Sequence, residues 1–464
     1  MNKIKSLIIV LAAGLFMNSC SEGITELNVD PDRSPTANPA QVLTAAEGAI
    51  GIVLESEYNH DSFLWGQYWC WGPGVAIANQ VRYIGQAADY NNEWIITWAN
   101  AMSDLKFVSK SESSGHAGIA KILMAYTFQG LVDHWGDIPF SESLNGELVD
   151  GSNFSPKFDD DAEIYPQLVT MIDDGLAQIS AGDASVGDED LIFSGDLDKW
   201  EKFGNSLKLR ILMRMSGVND VSQQVTDLIA NGTFIEAEGD IAAVPFDGAA
   251  GDENPMYARM EAGVKNFYVA SNTSLNYLLD NSDPRVDAFY APAANSGTLV
   301  GIDQGTIDEE PFTNSVADYS QMTDALYGAA LPAILMSNWE VWFLRAEAAN
   351  KFGTADDEET VFANAVQASF DYLEVDPGTY IDDLNYGGAS AVERMDMIAI
   401  QKWISMNGLQ EDEGWIETRR FDTPSNPIFS ENIFVESFVS VLPENTFPSI
   451  WLYPANELSL NPSA

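Results

Sequence analysis

The chain is dominated by apolar residues at helical spacing, bounded by residues that start and stop helices. Ser337 and Glu340 stand three residues apart, as in a capping box, and Gly353 supplies a stop signal downstream. Between them the apolar stripe consists of Val341, Leu344 and Ala348. A second helix is predicted from about 359 to 373, and alanines on both segments allow the two helices to approach closely.

Four further stretches carry the same helical periodicity, at 118–132, 164–179, 199–216 and 392–407. The pair at 337–373 resembles one tetratricopeptide unit. No stretch alternates strictly between apolar and polar residues, so strands should be few and short. The segment 240–324 is rich in Gly, Pro, Asn, Asp and Ser, which predicts long ordered loops. The sequence therefore predicts a mainly α fold of tetratricopeptide-like helix pairs with few short strands.

The first twenty residues have the pattern of an export signal. A basic start at 1–5 precedes an apolar run at 6–17 that is too short to span a bilayer. The pattern predicts a lipoprotein signal over 1–19, with Cys20 as the lipidated first residue of the mature chain. The alternative is an ordinary secretory peptide beside a coincidental cysteine. The mature chain, 20–464, is expected to form one domain with an extended N-terminal arm at 20–40 and a loop-rich insertion at 240–324.

Charge excludes two classes of partner. The formal net charge is −48, so the surface should repel nucleic acid and anionic membranes. An affinity for cations is one interpretation of this charge, and a solubilising surface is the other. Hydrophobic residues make up 46% of the chain, which argues against disorder. If Cys20 carries lipid, Cys70 has no intrachain disulfide partner, and a large apolar core must hold the fold.

Aromatic residues concentrate between positions 65 and 98, which contain five of the 12 tryptophans. Flat aromatic faces cover the C–H patches of sugar rings, while neighbouring amides bond the hydroxyls. The candidate ligand-binding residues of this stretch are Trp65, Tyr68, Trp69, Trp71, Tyr83, Tyr90, Asn91, Asn92 and Trp94. The alternative for each ring is burial in the core, because several of them stand at helical spacing.

A second candidate surface lies in the loop-rich segment, which contains Met256-Tyr257, Asp283-Pro284-Arg285, Tyr290 and Tyr319. Arg285 and Tyr290 are candidate ligand contacts. For Arg285 the alternative is a structural ion pair with Asp283.

The sequence favours binding over catalysis. Three histidines lie far apart, and no His-Glu-x-x-His, cysteine cluster or Gly-x-Ser-x-Gly occurs. Paired carboxylates are too abundant to test a glycosidase by spacing. No cofactor is predicted. The acidic turns 159–161 and 187–190 could hold a structural calcium ion, but neither fits the EF-hand template, and a solvated surface is the alternative.

Six segments, in order along the chain, resemble motifs of the SusD/RagB family of outer-membrane lipoproteins. The segment at 131–142, for example, resembles the family pattern tD.wGdvPysea. The others lie at 26–31, 158–165, 200–210, 340–348 and 401–420. Near its C-terminal end the sequence contains Tyr453-Pro454, which also resembles the family pattern. Ile450 is a departure, since members often have arginine there.

The resemblance implies a helical, tetratricopeptide-like fold with a loop-rich ligand-binding face. It also implies a non-catalytic role as the capture half of an importer, seated on a TonB-dependent, SusC-like outer-membrane barrel. Most ligands of the family are oligo- or polysaccharides, here expected to be neutral, while the RagB branch handles peptides. Ser21-Glu22 after Cys20 resembles a surface-export signal, which would place the protein on the cell exterior. A peptide-capturing lipoprotein and a surface glycoside hydrolase are the alternative functions.

Overall fold

The computed structural model of the protein describes residues 37–73, 79–146, 154–181, 185–264, 267–306 and 314–463. The predicted signal peptide at 1–19, the lipidation site Cys20 and most of the predicted arm lie outside these ranges.

Helices predominate in the described chain. The first nine are α1 Pro39–Val53, α2 Asn59–Trp65, α3 Asn91–Ile95, α4 Ser103–Val108, α5 Ser114–Trp135, α6 Asp161–Ser180, α7 Leu197–Met215, α8 Ser222–Asn231 and α9 Pro255–Arg259. They are followed by α10 Asn272–Asp280, α11 Val286–Phe289, α12 Asn338–Phe352, α13 Glu358–Tyr372, α14 Tyr380–Asp383, α15 Ala391–Ser405, α16 Glu411–Phe421, α17 Ile428–Asn432 and α18 Ala455–Leu460. A π-helical segment, Ile96–Met102, extends α3, whereas the segments after α1 and α9, at Leu54–Tyr58 and Met260–Val264, contain kinks at Ser56 and Gly263.

Strands are short and occur in antiparallel pairs. They are β1 Trp69–Trp71, β2 Ile138–Pro139, β3 Phe158–Asp159, β4 Ala242–Val244, β5 Tyr268–Ala270, β6 Tyr290–Ala291, β7 Gln321–Met322 and β8 Ala333–Met336. β1 pairs with β5, β2 with β3, β4 with β8 and β6 with β7. Trp69 faces Ala270 across the first pair, so the aromatic stretch is joined directly to the loop-rich segment. The mainly α fold with few short strands is confirmed.

The capping residues fix α12 as predicted, with one difference. Ser337 Oγ accepts a hydrogen bond from the main-chain N–H of Glu340 at 3.2 Å, and Gly353 ends the helix in the left-handed conformation at φ 63°. The side chain of Glu340 does not complete a capping box. Its carboxylate accepts from Arg210 Nε at 2.6 Å instead, because a buried ion pair is available to it.

Twelve of the eighteen α-helices in the described ranges were not predicted from periodicity, and three of them show why. Asn38 and Pro39 begin α1, which therefore overlaps the end of the predicted arm. Ser271 caps α10 inside the loop-rich segment, where glycine and asparagine obscure the apolar pattern. Three consecutive acidic residues open α16, and their polarity hides a helix that is almost entirely buried.

Consecutive long helices pack against one another, α5 on α6, α6 on α7 and α12 on α13. Glycines let α5 and α6 cross closely. A Cβ added at Gly118 would lie 2.7 Å from the main-chain oxygen of Gly175 and 2.8 Å from Cγ1 of Ile179. A Cβ added at Gly175 would lie 2.9 Å from the main-chain oxygen of Gly118. The backbones of the two helices are therefore nearly in contact at this point.

A network of ion pairs runs through the interior of the helical scaffold. Arg210 on α7 pairs with Glu340 on α12, and both side chains are almost fully buried. Arg214, one turn later on α7, pairs with Asp133 on α5 and Glu413 on α16. Because an unpaired buried charge costs several kcal/mol, these pairs fix four helices relative to one another.

The network continues through α16 to α12 and α15. Arg420 donates to Glu347 at 2.6 Å and to Glu417 at 2.6 Å, while Lys402 Nζ lies 2.7 Å from Glu417. Burial alone would raise the pKa of Glu417, but Arg420 and Lys402 hold it well below its ordinary value. Glu417 is therefore a buried anion held by Arg420, Lys402 and, at 3.5 Å, Arg214.

Two buried acidic side chains, Glu47 and Asp190, join α1 to the turn before α7. Glu47 Oε2 accepts from the main-chain N–H of Leu191 at 2.7 Å. Asp190 accepts from Trp200 Nε1 at 2.7 Å and from the main-chain N–H of Gly195 at 2.9 Å. Burial and the charge of Asp190 raise the pKa of Glu47 well above its ordinary value of 4.5. Folding therefore favours the protonated form of Glu47.

The close crossing of α5 and α6 predicts opposite effects for two glycines of one helix. Gly118→Ala should lower the free energy of unfolding by about 1–3 kcal/mol, because the new methyl group overlaps α6. Gly130→Ala, where a Cβ would meet nothing within 4 Å, should raise it by about 0.5–1 kcal/mol. Chemical denaturation of both variants checks this, and equal effects of the two would contradict the close crossing.

The raised pKa of Glu47 predicts a pH dependence of stability. Its contribution is complete below the ordinary pKa of the unfolded chain and is lost as pH rises through the higher pKa of the folded protein. Glu47→Gln mimics the protonated form, so its stability should decline less than that of the wild type with rising pH. Urea midpoints measured from pH 5 to 9 test this, and parallel curves for both proteins would refute it.

Candidate functional site

The aromatic residues predicted to bind ligand lie inside the protein. Each ring of the 65–94 set is at most 8% exposed, and Tyr68 and Trp69 are 0% exposed. The set comprises Trp65, Tyr68, Trp69, Trp71, Tyr83, Tyr90 and Trp94. All of them belong to the hydrophobic core cluster, which is the alternative role that their helical spacing left open.

Trp69 is central to one half of this cluster. Its ring stacks on Phe63 at 5.4 Å with an interplanar angle of 8°, and it lies 4.8 Å from Tyr290. Trp69 Nε1 donates to Asn407 Oδ1 at 3.1 Å, and the Tyr290 hydroxyl donates to the main-chain oxygen of Tyr68 at 2.9 Å. Residues of the two predicted surfaces thus meet, but they meet in the core.

Tyr90 and Trp94 belong to the other half. Tyr90 stacks on Trp451 at 4.1 Å and donates to Asp61 Oδ2 at 2.7 Å. Trp94 Nε1 donates to Glu457 Oε2 at 3.2 Å, so both rings hold the C-terminal segment.

The two predicted asparagines have different positions. Asn91 is half-buried, and its Oδ1 accepts from the main-chain N–H of Asn456 at 3.0 Å. Asn92 is exposed. Asn91 therefore anchors the C-terminal segment, while Asn92 is directed to solvent and available for contact.

Arg285 forms the structural pair that was its alternative role. Its Nη2 donates to Asp283 Oδ2 at 2.6 Å and to Gln401 Oε1 at 2.6 Å, and its Nη1 donates to Ser405 Oγ at 3.0 Å. The guanidinium also lies 4.7 Å from the ring centroid of Phe370. Arg285 thus connects the loop-rich segment to α13 and α15. In the structure these residues have packing roles. That any of them also contacts a ligand stays a prediction.

One surface cleft does reach a predicted aromatic residue. It has a volume of about 290 Å³ and is called here the Trp65–Trp415 cleft. Its lining consists of Trp65, Trp415, Thr418, Arg419, Asp422, Phe429, Ser430, Phe434, Asn445, Thr446, Phe447, Pro448 and Ser449. Aromatic and hydrogen-bonding groups alternate around it, which is the combination that sugar binding requires.

The base of the cleft is rigid. The rings of Trp65 and Trp415 lie 5.3 Å apart, and each indole N–H is bonded, to the main-chain oxygens of Gln80 and Pro448. Their rings are nearly covered, so the aromatic surface offered to a ligand comes from the half-buried Phe434 and Phe447, 5.5 Å apart at 67°.

The polar rim comes from the segment between α17 and α18. Asn445, Thr446 and Ser449 are all exposed there, and Asn445 has a left-handed backbone at φ 56°. The sequence prediction missed Phe434, Asn445, Thr446 and Phe447. The available signal was the mixture of amide, hydroxyl and ring at 445–449, which matches the mixture that drew attention to 90–94.

Arg419 supplies a fixed positive charge at the edge of the cleft. Its guanidinium lies 3.9 Å from the ring centroid of Trp415 and donates to the main-chain oxygens of Asp133 and Ser449. Burial lowers its pKa to about 10, so it remains charged at neutral pH. Arg419 and Ser449 also line a neighbouring cleft of about 480 Å³, whose rim includes the exposed Ile450. The two clefts therefore adjoin.

The lining of the cleft contains one carboxylate. Asp422 is the carboxylate in its lining, and its oxygens accept from the main-chain N–H groups of Phe429 and Ser430. A glycosidase needs two carboxyl groups across the scissile bond. Glu55 and Glu411 do lie near each other, but they line a separate cavity of about 40 Å³ that has room for water rather than a sugar ring.

The acidic turns also have internal roles. Asp190 uses both carboxylate oxygens for main-chain and Trp200 hydrogen bonds. Within the described ranges, three possible metal-ligand atoms lie within 4.8 Å of one another at Asp137, Asp160 and Asp161, all exposed. Asp160 also caps α6 through the N–H of Ala162. Exposed groups of this kind are common without a metal, and no cofactor is indicated.

Residues 32–435 match a family model, SusD-like, described as starch-binding associating with outer membrane. Among curated proteins, none matches this sequence. Solved structures give the same fold. The chain is similar to a chitin-binding protein at 22% identity and a TM-score of 0.77, covering 91% of this chain and 94% of the other.

Two further structures are similar over nearly their whole length. A SusD homologue from Bacteroides vulgatus ATCC 8482 is 19% identical, with a TM-score of 0.76 and coverage of 91% of this chain and 93% of the other. A SusD/RagB family protein from Bacteroides thetaiotaomicron VPI-5482 is 22% identical, with a TM-score of 0.74 and coverage of 92% and 95%.

The packing of the aromatic residues predicts that truncating one of them destabilises the protein. Trp69→Ala should lower the free energy of unfolding by about 3–5 kcal/mol, because it opens a cavity and leaves Asn407 without its donor. Asn92→Ala, at an exposed position, should change it by less than about 0.5 kcal/mol. Denaturant titrations measure both, and wild-type stability of Trp69→Ala would show that this ring is not part of the core.

Proposed function

Because the chain belongs to the SusD-like family of starch-binding proteins that associate with the outer membrane, we propose that it captures oligo- or polysaccharide without cleaving it. In this proposal it delivers the glycan to a TonB-dependent, SusC-like barrel for import. The observation that carries the proposal is the Trp65–Trp415 cleft, which combines aromatic walls with an exposed amide and hydroxyl rim on the family's scaffold.

The cleft favours a neutral glycan. Phe434 and Phe447 offer apolar faces for C–H patches, while Asn445, Thr446 and Ser449 offer donors and acceptors for hydroxyls. The surrounding surface of a chain with net charge −48 disfavours a polyanion. Starch, named in the family description, and chitin, bound by a structural neighbour, are therefore the first glycans to test.

The proposed location is the outer leaflet of the outer membrane, facing the medium. The lipid anchor would be attached at Cys20, after removal of 1–19, and Ser21-Glu22 would direct export. Each helix of the described ranges is too short or too polar to cross a membrane. In this proposal 20–464 forms a single domain whose N-terminal arm leads from the lipid to α1.

Affinity electrophoresis tests the proposal. Soluble starch or chitin oligosaccharides should retard the protein, and chromatography should show that the chain length of the glycan is unchanged. Binding of a peptide panel instead would favour the peptide-capturing alternative. Release of reducing ends that follows the protein through purification would favour a glycoside hydrolase.

Two rim substitutions test the site itself. Asn445→Gly with Thr446→Val removes two hydrogen-bonding groups and permits the left-handed backbone at 445. At about 1 kcal/mol for each hydrogen bond, glycan affinity should fall roughly thirtyfold. Asn385→Gly is the matched control, since Asn385 is also exposed and left-handed, at φ 51°, but does not line the cleft. Unchanged affinity of the double variant would remove the cleft from the proposal.

A further inference from the structure

The cleft that adjoins the Trp65–Trp415 cleft has an exposed aliphatic wall. It has a volume of about 480 Å³ and is called here the Val218–Ile450 cleft. Val218 is 81% exposed and Ile450 is 55% exposed, although both side chains are apolar, and the buried Met215 also lines the cleft. Exposed aliphatic side chains in a concave site are suited to covering a small apolar group of a ligand, such as a methyl group.

Arg419 lines both clefts and retains an unused donor. A guanidinium group has five N–H donors. Nη1 of Arg419 donates to the main-chain oxygens of Asp133 and Ser449, and Nη2 donates to that of Asp133 at 3.1 Å. The buried Nε has no partner in the described chain, so one N–H of Nη2 is left. In this position the guanidinium donates to amide carbonyl oxygens, and its remaining N–H suits another acceptor of the same kind.

The rim of the Val218–Ile450 cleft also carries acceptors. Asp161 and Asn219 are both exposed there, and each has a side-chain oxygen that accepts from an N–H group. The exposed Ser449 belongs to the wall that the two clefts share. An aliphatic wall, a donor for a carbonyl oxygen and acceptors for an N–H group therefore surround one cleft.

We propose that this cleft binds the acetamido group of an N-acetylated sugar, so that the captured glycan contains N-acetylhexosamine units. The methyl group would pack on Val218 and Ile450. The carbonyl oxygen would accept from Arg419, and the N–H would donate to Asp161 or Asn219. An acetamido group is uncharged, so the net charge of −48 does not repel it. This inference rests on the proposed function, because the sugar ring is placed in the adjoining cleft.

Calorimetric titration with two matched hexasaccharides tests the proposal. Chitohexaose and cellohexaose share one β-1,4-linked backbone and differ in the group at C2 of each unit, which is acetamido in the first and hydroxyl in the second. The protein should bind chitohexaose roughly tenfold more tightly, because its methyl group covers the aliphatic wall and its carbonyl oxygen accepts from Arg419. In saturation-transfer NMR, the acetyl methyl protons should give the strongest signal of bound chitohexaose.

Two exposed valines provide a matched pair of variants. Val218→Ser removes apolar surface from the cleft, whereas Val392→Ser makes the same change at a residue that is 62% exposed and lines neither cleft. Val218→Ser should lower the affinity for chitohexaose about fivefold and leave that for cellohexaose unchanged. Val392→Ser should change neither affinity. Both variants should keep the native circular dichroism spectrum, because exposed side chains contribute little to stability.

Three results would overturn the proposal. They are equal affinities of the wild type for the two hexasaccharides, no binding of chitohexaose, and equal effects of Val218→Ser and Val392→Ser on chitohexaose binding. If cellohexaose or starch binds in any of these cases, the proposed capture of glycans stands and only the acetamido site is lost. If starch, chitohexaose and cellohexaose all fail to bind, the result counts against both.

Discussion

The buried ion-pair network on α7 is the constraint on which the rest of the scaffold depends. Arg210 and Arg214 place two guanidinium groups one turn apart in an apolar interior, where Asp133, Glu340 and Glu413 pair with them, and Glu417 lies 3.5 Å from Arg214 Nε. The partners come from three helices, α5, α12 and α16. Because removing one partner would leave a buried charge, the helices can pack in few ways other than the one observed. This explains why the motifs shared with the family carry charged residues at positions that prove to be buried.

Local sequence predicts where a helix begins and ends, but it does not predict which aromatic residues are buried. Ser337 and Gly353 mark the ends of α12 through local hydrogen bonds and backbone geometry, so a few neighbouring residues are enough to predict those ends. The burial of Trp69 depends on Tyr290 and Asn407, more than 200 residues away along the chain. A stretch rich in tryptophan therefore has the same sequence pattern whether it forms a binding platform or a core. Charge patterns likewise revealed the acidic surface but not the ion pairs inside it.

The distribution of charge gives the protein two distinct electrostatic environments. With 22 basic against 70 acidic residues, the arginines that pair internally leave a surface dominated by carboxylates. Arg419 is different, since its guanidinium stacks on Trp415 and donates to main-chain oxygens at the edge of two adjoining clefts. Because this guanidinium donates to main-chain carbonyl groups, it holds the wall of the cleft in place. The negative charge of the surrounding surface is left largely as it is. That arrangement is consistent with the proposed neutral glycan, which would be recognised by its hydroxyl groups and ring faces.

The cleft itself divides into a base within the range that matches the family model and a rim that is mostly beyond it. Trp65, Trp415 and Arg419 lie within the range that matches the family model, residues 32–435, whereas Asn445 and Thr446 lie beyond it. The base is fixed by indole hydrogen bonds and by the packing of α16, so its shape follows from the scaffold. The rim lies on an irregular segment whose exposed side chains do not hold the helices together. Sequence change there therefore costs little stability. If the cleft is the proposed glycan site, its rim can change without altering the helices that present it.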